Sequence, residues 1–282
     1  MPLFYCDQNV ISTFDEQDAA FKTRLLKHLA DKSVQIVLSS WHWCEMARNA
    51  TREDALRQAE FADTLRPIWL RERLPLEREE VAEAFFSWLR VPFVAKTATT
   101  SLAGVISELN QIPIQRTQGI TSSDIVGVWY GREDLIAPLV AAHRQNQTAF
   151  GWTVRNVRLL MREKRKVDVA LLSKLIPDVT PSGVAIDAVT KADFVTQFDL
   201  ENSECRVLVT DQVVSEASWS LLGGLRWQHF IDRMHIVPSL PNVDYFLTND
   251  KRLIRFIGRI ATKMKFHVAE PLNFEGFCRL FL

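Results

Sequence analysis

The chain has 282 residues, 47% of them hydrophobic, which is enough to bury a sizeable core in one large domain or two moderate ones. Lysine plus arginine and aspartate plus glutamate each number 34, so bulk basicity does not advertise nucleic acid and any basic surface has to be local. Four cysteines (Cys6, Cys44, Cys205, Cys278) lie far apart, with no CxxC pair and no zinc spacing, and predict reduced, mostly buried thiols of a cytoplasmic protein. The first residues lack a basic segment followed by an apolar run, so no signal peptide is expected. No apolar stretch is long enough to span a bilayer, so no membrane partner is expected either.

In chain order, Leu3–Cys6 reads as a first strand, short and apolar-aromatic, with Asp7 at its carboxyl end. Apolar residues at helical spacing (Phe21, Leu25, Leu26, Leu29) predict a helix over Ala19–Leu29. Val34–Leu38 reads as a second strand, and Ser39-Ser40 as the cap of a helix running from Trp41 to about Leu65, with Glu45 in its second turn. Strand, helix, strand, helix argues for an α/β fold with a parallel, helix-flanked sheet.

From about Pro67 the pattern turns helical: Leu76–Leu89, Ser101–Asn110, Ser123–Lys166, Val184–Phe198 and Arg206–Leu222, with a short β-like connector at Arg90–Thr97. This predicts a helical insertion or elaboration over 67–222 on a core made of 1–66 and 223–282. A helix Arg226–Val237, closed by Pro238 and Pro241, leads to a strand at Val243–Leu247. Thr248-Asn249-Asp250 then caps a basic helix from Lys251. Phe266–Ala269 reads as the last strand and Asn273–Phe281 as the closing helix.

Four acids stand at comparable places. Asp7 follows the first strand, Glu45 comes early in the helix after the second, Asp232 lies in the helix before 243–247, and Asp250 follows that strand. In open α/β sheets, chemistry gathers outside the carboxyl ends of strands. Carboxylates converging there repel one another, and a hard divalent cation relieves this because Mg²⁺ and Mn²⁺ prefer oxygen ligands. Such a site can activate water and stabilise displacement at phosphorus.

The segments Tyr5-Cys6-Asp7-Gln8-Asn9-Val10, Ser39-Ser40-Trp41-His42-Trp43-Cys44-Glu45-Met46-Ala47 and Asp244-Tyr245-Phe246-Leu247-Thr248-Asn249-Asp250 resemble the PIN-domain nucleases. So does Asp232, 18 residues before Asp250, and so does the closing Val268–Phe274. The resemblance covers roughly 1–65 and 225–282 and leaves the middle unmatched. It implies a PIN-like three-layer α/β/α fold with a mostly parallel central sheet and a large helical insertion. It also implies Mg²⁺ or Mn²⁺ bound by Asp7, Glu45, Asp232 and Asp250, with Asn9 and Thr248 orienting those ligands. The implied activity is phosphodiester hydrolysis, usually of RNA.

His235 lies one turn after Asp232 on the same helical face, and His42 one turn before Glu45, so either could touch a ligand carboxylate or substrate. Asp244 precedes its strand and belongs to the opposite end. Lys251, Arg252 and Arg255, with Arg259, Lys263 and Lys265 beyond, offer a track for a phosphate backbone. A second basic run (Arg155, Arg158, Arg162, Lys164, Arg165, Lys166) offers another, although helical Lys/Arg runs are usually solvated faces. Trp129, Trp152 and Trp219 could stack bases but in helical patterns are more often core. The leading expectation is a metal-dependent endoribonuclease. The alternatives are a silent PIN-like scaffold binding RNA or protein, a nuclease acting on DNA, and a nuclease held by an inhibitory protein partner, as many bacterial PIN toxins are.

Overall fold

The computed structural model describes residues 1–31, 34–48, 51–109, 119–132, 169–200, 203–222 and 227–282; the side chains at 169–171, 215–216, 218–222 and 227–232 lie outside that description. The strands are β1 (Leu3–Cys6), β2 (Gln35–Leu38), β3 (Ile68–Leu70), β4 (Thr99–Thr100), β5 (Tyr245–Leu247) and β6 (Glu270–Leu272). They form one six-stranded sheet in the order β4-β3-β2-β1-β5-β6, parallel except for β4. This is a mixed α/β fold, as the strand–helix alternation predicts.

The described helices are α1 (Gln8–Glu16), α2 (Ala19–Ala30), α3 (Ser40–Met46), α4 (Arg52–Thr64), α5 (Arg73–Trp88), α6 (Leu102–Leu109) and α7 (Ser122–Trp129). They continue with α8 (Val169–Leu175), α9 (Ala188–Gln197), α10 (Arg206–Leu222), α11 (Trp227–Ser239), α12 (Lys251–Ala261) and α13 (Phe274–Phe281). None is long and apolar enough to cross a membrane.

The central strands are short and apolar because both faces are covered. Phe4, Cys6, Ile36 and Leu38 pack into one cluster with Val10, Phe14, Leu25, Trp43 and Phe277. Tyr5, Val37 and Phe246, which alternate with them, are equally buried. Aromatic rings fill the first cluster: Phe4 stacks on Tyr245 with centroids 4.8 Å apart, and Trp43 meets Trp69 at 4.7 Å. Trp129 is 6% exposed and edges onto Trp43, so it is core.

The registers Cys6 opposite Leu247 and Tyr5 opposite Val37 align the carboxyl ends of β5, β1 and β2 at one edge. The chain leaves β1 for β2 and β3 on one side, then returns to place β5 and β6 on the other. That reversal falls between β1 and β5, and outside the carboxyl ends of strands at such a reversal doubly wound sheets place ligands.

Several boundaries differ from the sequence reading. The helix expected over Trp41–Leu65 is two, because Thr51 starts α4 anew by accepting the Asp54 N–H. Pro238 lies inside the last turn of α11 instead of closing it. The last strand is Glu270–Leu272, not Phe266–Ala269: parallel pairing sets Phe246 opposite Pro271 and Leu247 opposite Leu272. Arg90–Thr97 contains no strand, and the strands β3 and β4 fall on either side of it.

Two compact units divide the chain. One comprises Met1–Glu72, Ala98–His143 and Arg226–Leu282; the other comprises Arg73–Thr97 and Arg144–Leu225. The expected elaboration over 67–222 therefore contains β3 and β4 of the sheet as well as helices. The second unit has a core of its own, built on Val81, Phe85, Phe86, Leu175, Phe194, Phe198 and Leu208. Within it the Glu80 carboxylate accepts the Val207 and Leu208 N–H groups and caps α10. Burial nevertheless pushes that carboxyl up to about 7.

Candidate functional site at the carboxyl rim

Asp7 ends β1 and caps α1, its Oδ1 accepting the Gln8 N–H at 2.8 Å. Its other oxygen accepts from Asn9 Nδ2 at 2.5 Å and from Thr248 Oγ1 at 2.7 Å. Thr248, fully buried just past β5, also receives the Asp250 N–H at 3.2 Å. Asn9 Oδ1 accepts the Asn249 N–H at 2.9 Å. These bonds latch the turn after β1 to the turn after β5. Asp7 and Asp250 thus share one rim, with Thr248 touching both residues. Asp250 itself is exposed and caps α12 through Arg252 N–H at 2.7 Å and Leu253 N–H at 3.3 Å.

Glu45 reaches the same rim from α3, which starts directly after β2. Its Oε2 lies 3.1 Å from His235 Nε2 on α11, and its side chain is 23% exposed. On its other nitrogen, His235 Nδ1, the ring is hydrogen-bonded to the Tyr5 hydroxyl, which also meets Ser39 Oγ at 2.8 Å. His42 Nε2 lies 2.6 Å from the Cys6 carbonyl, and a carbonyl can only accept, so Nε2 carries the proton; Nδ1 then accepts the Ser39 N–H at 3.0 Å. Burial and the neighbouring His235 lower His42 to about 4, which keeps this ring neutral.

The two rim carboxylates are pushed in opposite directions. Burial raises Asp7 above the ordinary aspartate range and the charge of Glu45 adds to that, against the His235 charge and the Thr248 hydrogen bond. Burial would raise Glu45 too, but the His235 charge and hydrogen bond outweigh it and hold this carboxyl below its usual range. Burial keeps the neighbouring thiols of Cys6 and Cys44 protonated, so they are neither nucleophiles nor thiolate ligands.

Of the sequence-predicted set, Asp7, Glu45, Asn9, Thr248 and His235 are joined by bonds or by electrostatic coupling, and Asp250 stands beside them. Asp232 lies one turn before His235 in α11, with its side chain outside the described residues. Asp244 sits at the amino end of β5, accepting the Leu3 N–H at 2.7 Å, away from the rim as expected. Lys251, Arg252 and Arg255 are exposed on α12, opposite the buried Leu253, Ile257 and Ile260. The basic run 155–166 and Trp152 fall outside the described residues, and so does the side chain of Trp219. Among the described residues, no group of three or more His, Cys, Asp or Glu side chains is arranged to hold a metal ion.

No protein-family model, curated protein or solved structure matches this chain. Function has to be argued from the rim itself.

Two features of the rim escaped the sequence. Tyr5 and Ser39 complete the hydrogen-bond chain behind Glu45; Ser39 was legible only as a helix cap, and Tyr5 only as a polar atom inside an apolar strand. Glu72, two residues past β3, accepts hydrogen bonds from Ser40 Oγ and the Trp41 side chain, and burial and the charge of Glu108 raise its carboxyl. In the sequence it stands in an Arg-Glu-Arg run that reads as a solvated turn. Beside it the buried Arg71 pairs with Glu108 at 2.5 Å.

Proposed function

We propose that the rim at the carboxyl ends of β1 and β5 is the active site of a metal-dependent phosphodiester hydrolase, an endoribonuclease of the PIN-like kind. The observation that carries this reading is geometric: Thr248 bonds both Asp7 and Asp250 at the carboxyl rim, and Glu45, on the helix after β2, meets His235 there. A half-buried carboxylate held above its ordinary range beside a second one is the environment a hard cation relieves.

The residues fit such an ion in donor chemistry. A carboxylate offers about four lone-pair positions. Asp7 uses three of them, on Gln8, Asn9 and Thr248, and keeps one for a ligand bond. Glu45 retains a second oxygen beside the one facing His235. Mg²⁺ or Mn²⁺ would be held by Asp7 and Glu45, with Asp232 and Asp250 joining directly or through water. When bound, such an ion polarises a phosphoryl oxygen and lowers the pKa of its water. Asn9 and Thr248 fix the Asp7 carboxylate, and His235 fixes that of Glu45. Lys251, Arg252 and Arg255, exposed directly after Asp250, would hold the phosphates of an RNA strand.

The test is cleavage of labelled single-stranded RNA and of the matching DNA with Mn²⁺, beside Asp7→Asn and Asp250→Asn. Metal-dependent cleavage of RNA that both substitutions abolish is expected. Activity that survives both, or that EDTA leaves untouched, removes the assignment, and cleavage of DNA alone changes the substrate.

One observation favours a second reading, a scaffold that binds RNA or protein without catalysis. The imidazole of His235 sits on Glu45, and the described side chains alone form no three-ligand metal group. Thermal unfolding at millimolar Mg²⁺ or Mn²⁺ separates the two readings, because an ion that binds the native state raises the melting temperature. No shift with either ion would favour the scaffold.

A further inference from the structure

We infer that Tyr5 is a positioning residue for Glu45, acting through His235: its hydroxyl keeps the His235 proton on Nε2, the ring nitrogen that lies 3.1 Å from the Glu45 carboxylate. The inference rests on the active-site reading above for its kinetic readout, and for its structural one on the Tyr5–His235 hydrogen bond and the 3.1 Å approach of His235 to Glu45.

Four groups stand in line. Ser39 Oγ meets the Tyr5 hydroxyl at 2.8 Å, the hydroxyl bonds His235 Nδ1, and His235 Nε2 lies 3.1 Å from Glu45 Oε2. All but Glu45 are 3% exposed or less. The start of the line is anchored by His42, whose Nδ1 accepts the Ser39 N–H and whose Nε2–H donates to the Cys6 carbonyl. His42 therefore ties the cap of α3 to the strand that carries both Tyr5 and Asp7.

A neutral imidazole chooses between two tautomers, and its partners make the choice. A phenol both donates and accepts. When His235 is neutral, the Tyr5 O–H donates to Nδ1, which leaves the ring proton on Nε2, the nitrogen nearer Glu45. When the ring is protonated, Nδ1–H donates to the Tyr5 oxygen, and the phenol proton turns to Ser39 Oγ. In both states the nitrogen 3.1 Å from Glu45 Oε2 carries a proton and attracts the carboxylate electrostatically. With the phenol replaced by a benzene ring, the neutral histidine is free to carry its proton on Nδ1. Nε2 then turns a lone pair toward a carboxylate 3.1 Å away and repels it. The placement of Tyr5 fits this role: it lies two residues before Asp7 on the central strand, its ring stacked on Phe246 with centroids 5.2 Å apart. One strand thus carries the first acid itself and, through Tyr5 and His235, holds the second.

The experiment is ¹⁵N NMR of the histidine side chains in the full-length protein, together with steady-state cleavage kinetics, for wild type and Tyr5→Phe. Wild-type His235 is expected as the Nε2–H tautomer and the variant as a mixture or as Nδ1–H. If the rim is a nuclease site, kcat falls about 10- to 100-fold with KM nearly unchanged, the loss typical of removing a partner behind a ligand. A wild-type Nδ1–H tautomer overturns the inference, even if Tyr5→Phe does not fold. So does an unchanged tautomer in a folded variant, or a kcat that does not fall while wild type is active. An inactive wild type with the expected tautomer change sinks the nuclease reading and leaves the positioning of Glu45 standing.

Discussion

The two ends of the sheet treat their carboxylates differently. At the amino edge Asp244 accepts the Leu3 N–H at 2.7 Å, a single bond that ties β5 to β1 from an exposed position. At the carboxyl edge Asp7 is half-buried, accepts three hydrogen bonds from neutral donors and still lies above its ordinary range, with Glu45 adding its own charge. A fold needing nothing but caps could use the amino-edge solution throughout. Concentrating charge where burial penalises it lowers stability, and folds tolerate that most often at functional sites.

The sharpest way to break this contrast is to make the same substitution at both ends. Asp7→Asn is expected to reduce Mn²⁺-dependent RNA cleavage at least about 100-fold, since partners behind such ligands alone cost about 10- to 100-fold. Asp244→Asn is expected to leave the rate within about twofold and to lower the melting temperature by a few degrees, because one charge-assisted bond is removed. Equal losses at the two positions, measured under identical conditions, would mean that the carboxyl rim has no special chemistry.

Next in size is the contribution of α12. Replacing Lys251, Arg252 and Arg255 by Gln should weaken single-stranded RNA binding about tenfold at moderate salt. The slope of log affinity against log salt should become shallower by about 0.7 for each phosphate that the helix no longer neutralises. Replacing Lys22 and Arg57 is the control: both pair with Asp15 at 3.1 Å and belong to structural ion pairs. The control should leave the slope unchanged, and a change of equal size would make the α12 cluster one more solvated face.

How far the contrast was legible in the sequence depends on what each element needs. β1 and α10 agree with their expected bounds, and both announce themselves by local composition: an apolar tetrapeptide before Asp, and a long apolar-periodic run. Asp7, Thr248 and Asp250 were readable because each also serves as a cap or a turn residue, a role with a local signature; Asn9, in the first turn of α1, was readable only through the family resemblance. β3 and β4 were not readable. With three and two residues they hold no alternation, and their pairing to β2 and to each other is the whole reason they exist. The last strand was misplaced onto Phe266–Ala269 because those residues are more apolar than Glu270-Pro271-Leu272; the register against β5 decides otherwise. Tyr5 and Glu72 illustrate the remaining gap. Neither has a sequence signature of site chemistry, and their importance comes from partners 34 and 32 positions away, Ser39 and Ser40.

The smallest expected effect tests the electrostatics of the rim without any assay of activity. A carboxyl held above its ordinary range in the folded state is penalised on ionising, so Asp7 subtracts stability. That loss is absent below the ordinary aspartate pKa and complete once pH has risen past the raised one. Glu45, held below its range by His235, has the opposite sign: its contribution is present above the ordinary glutamate pKa and lost as pH falls through the depressed one. In EDTA, the stability of Asp7→Asn relative to wild type should therefore climb as pH rises from the ordinary aspartate pKa through the raised one. That of Glu45→Gln should fall with rising pH, and do so below the ordinary glutamate pKa, on the acid side of the Asp7 change. Denaturant unfolding at a series of pH values reads both slopes. Two slopes of the same sign would show that His235 does not divide the pair, and the picture of one carboxylate held charged beside another resisting its charge would have to be given up.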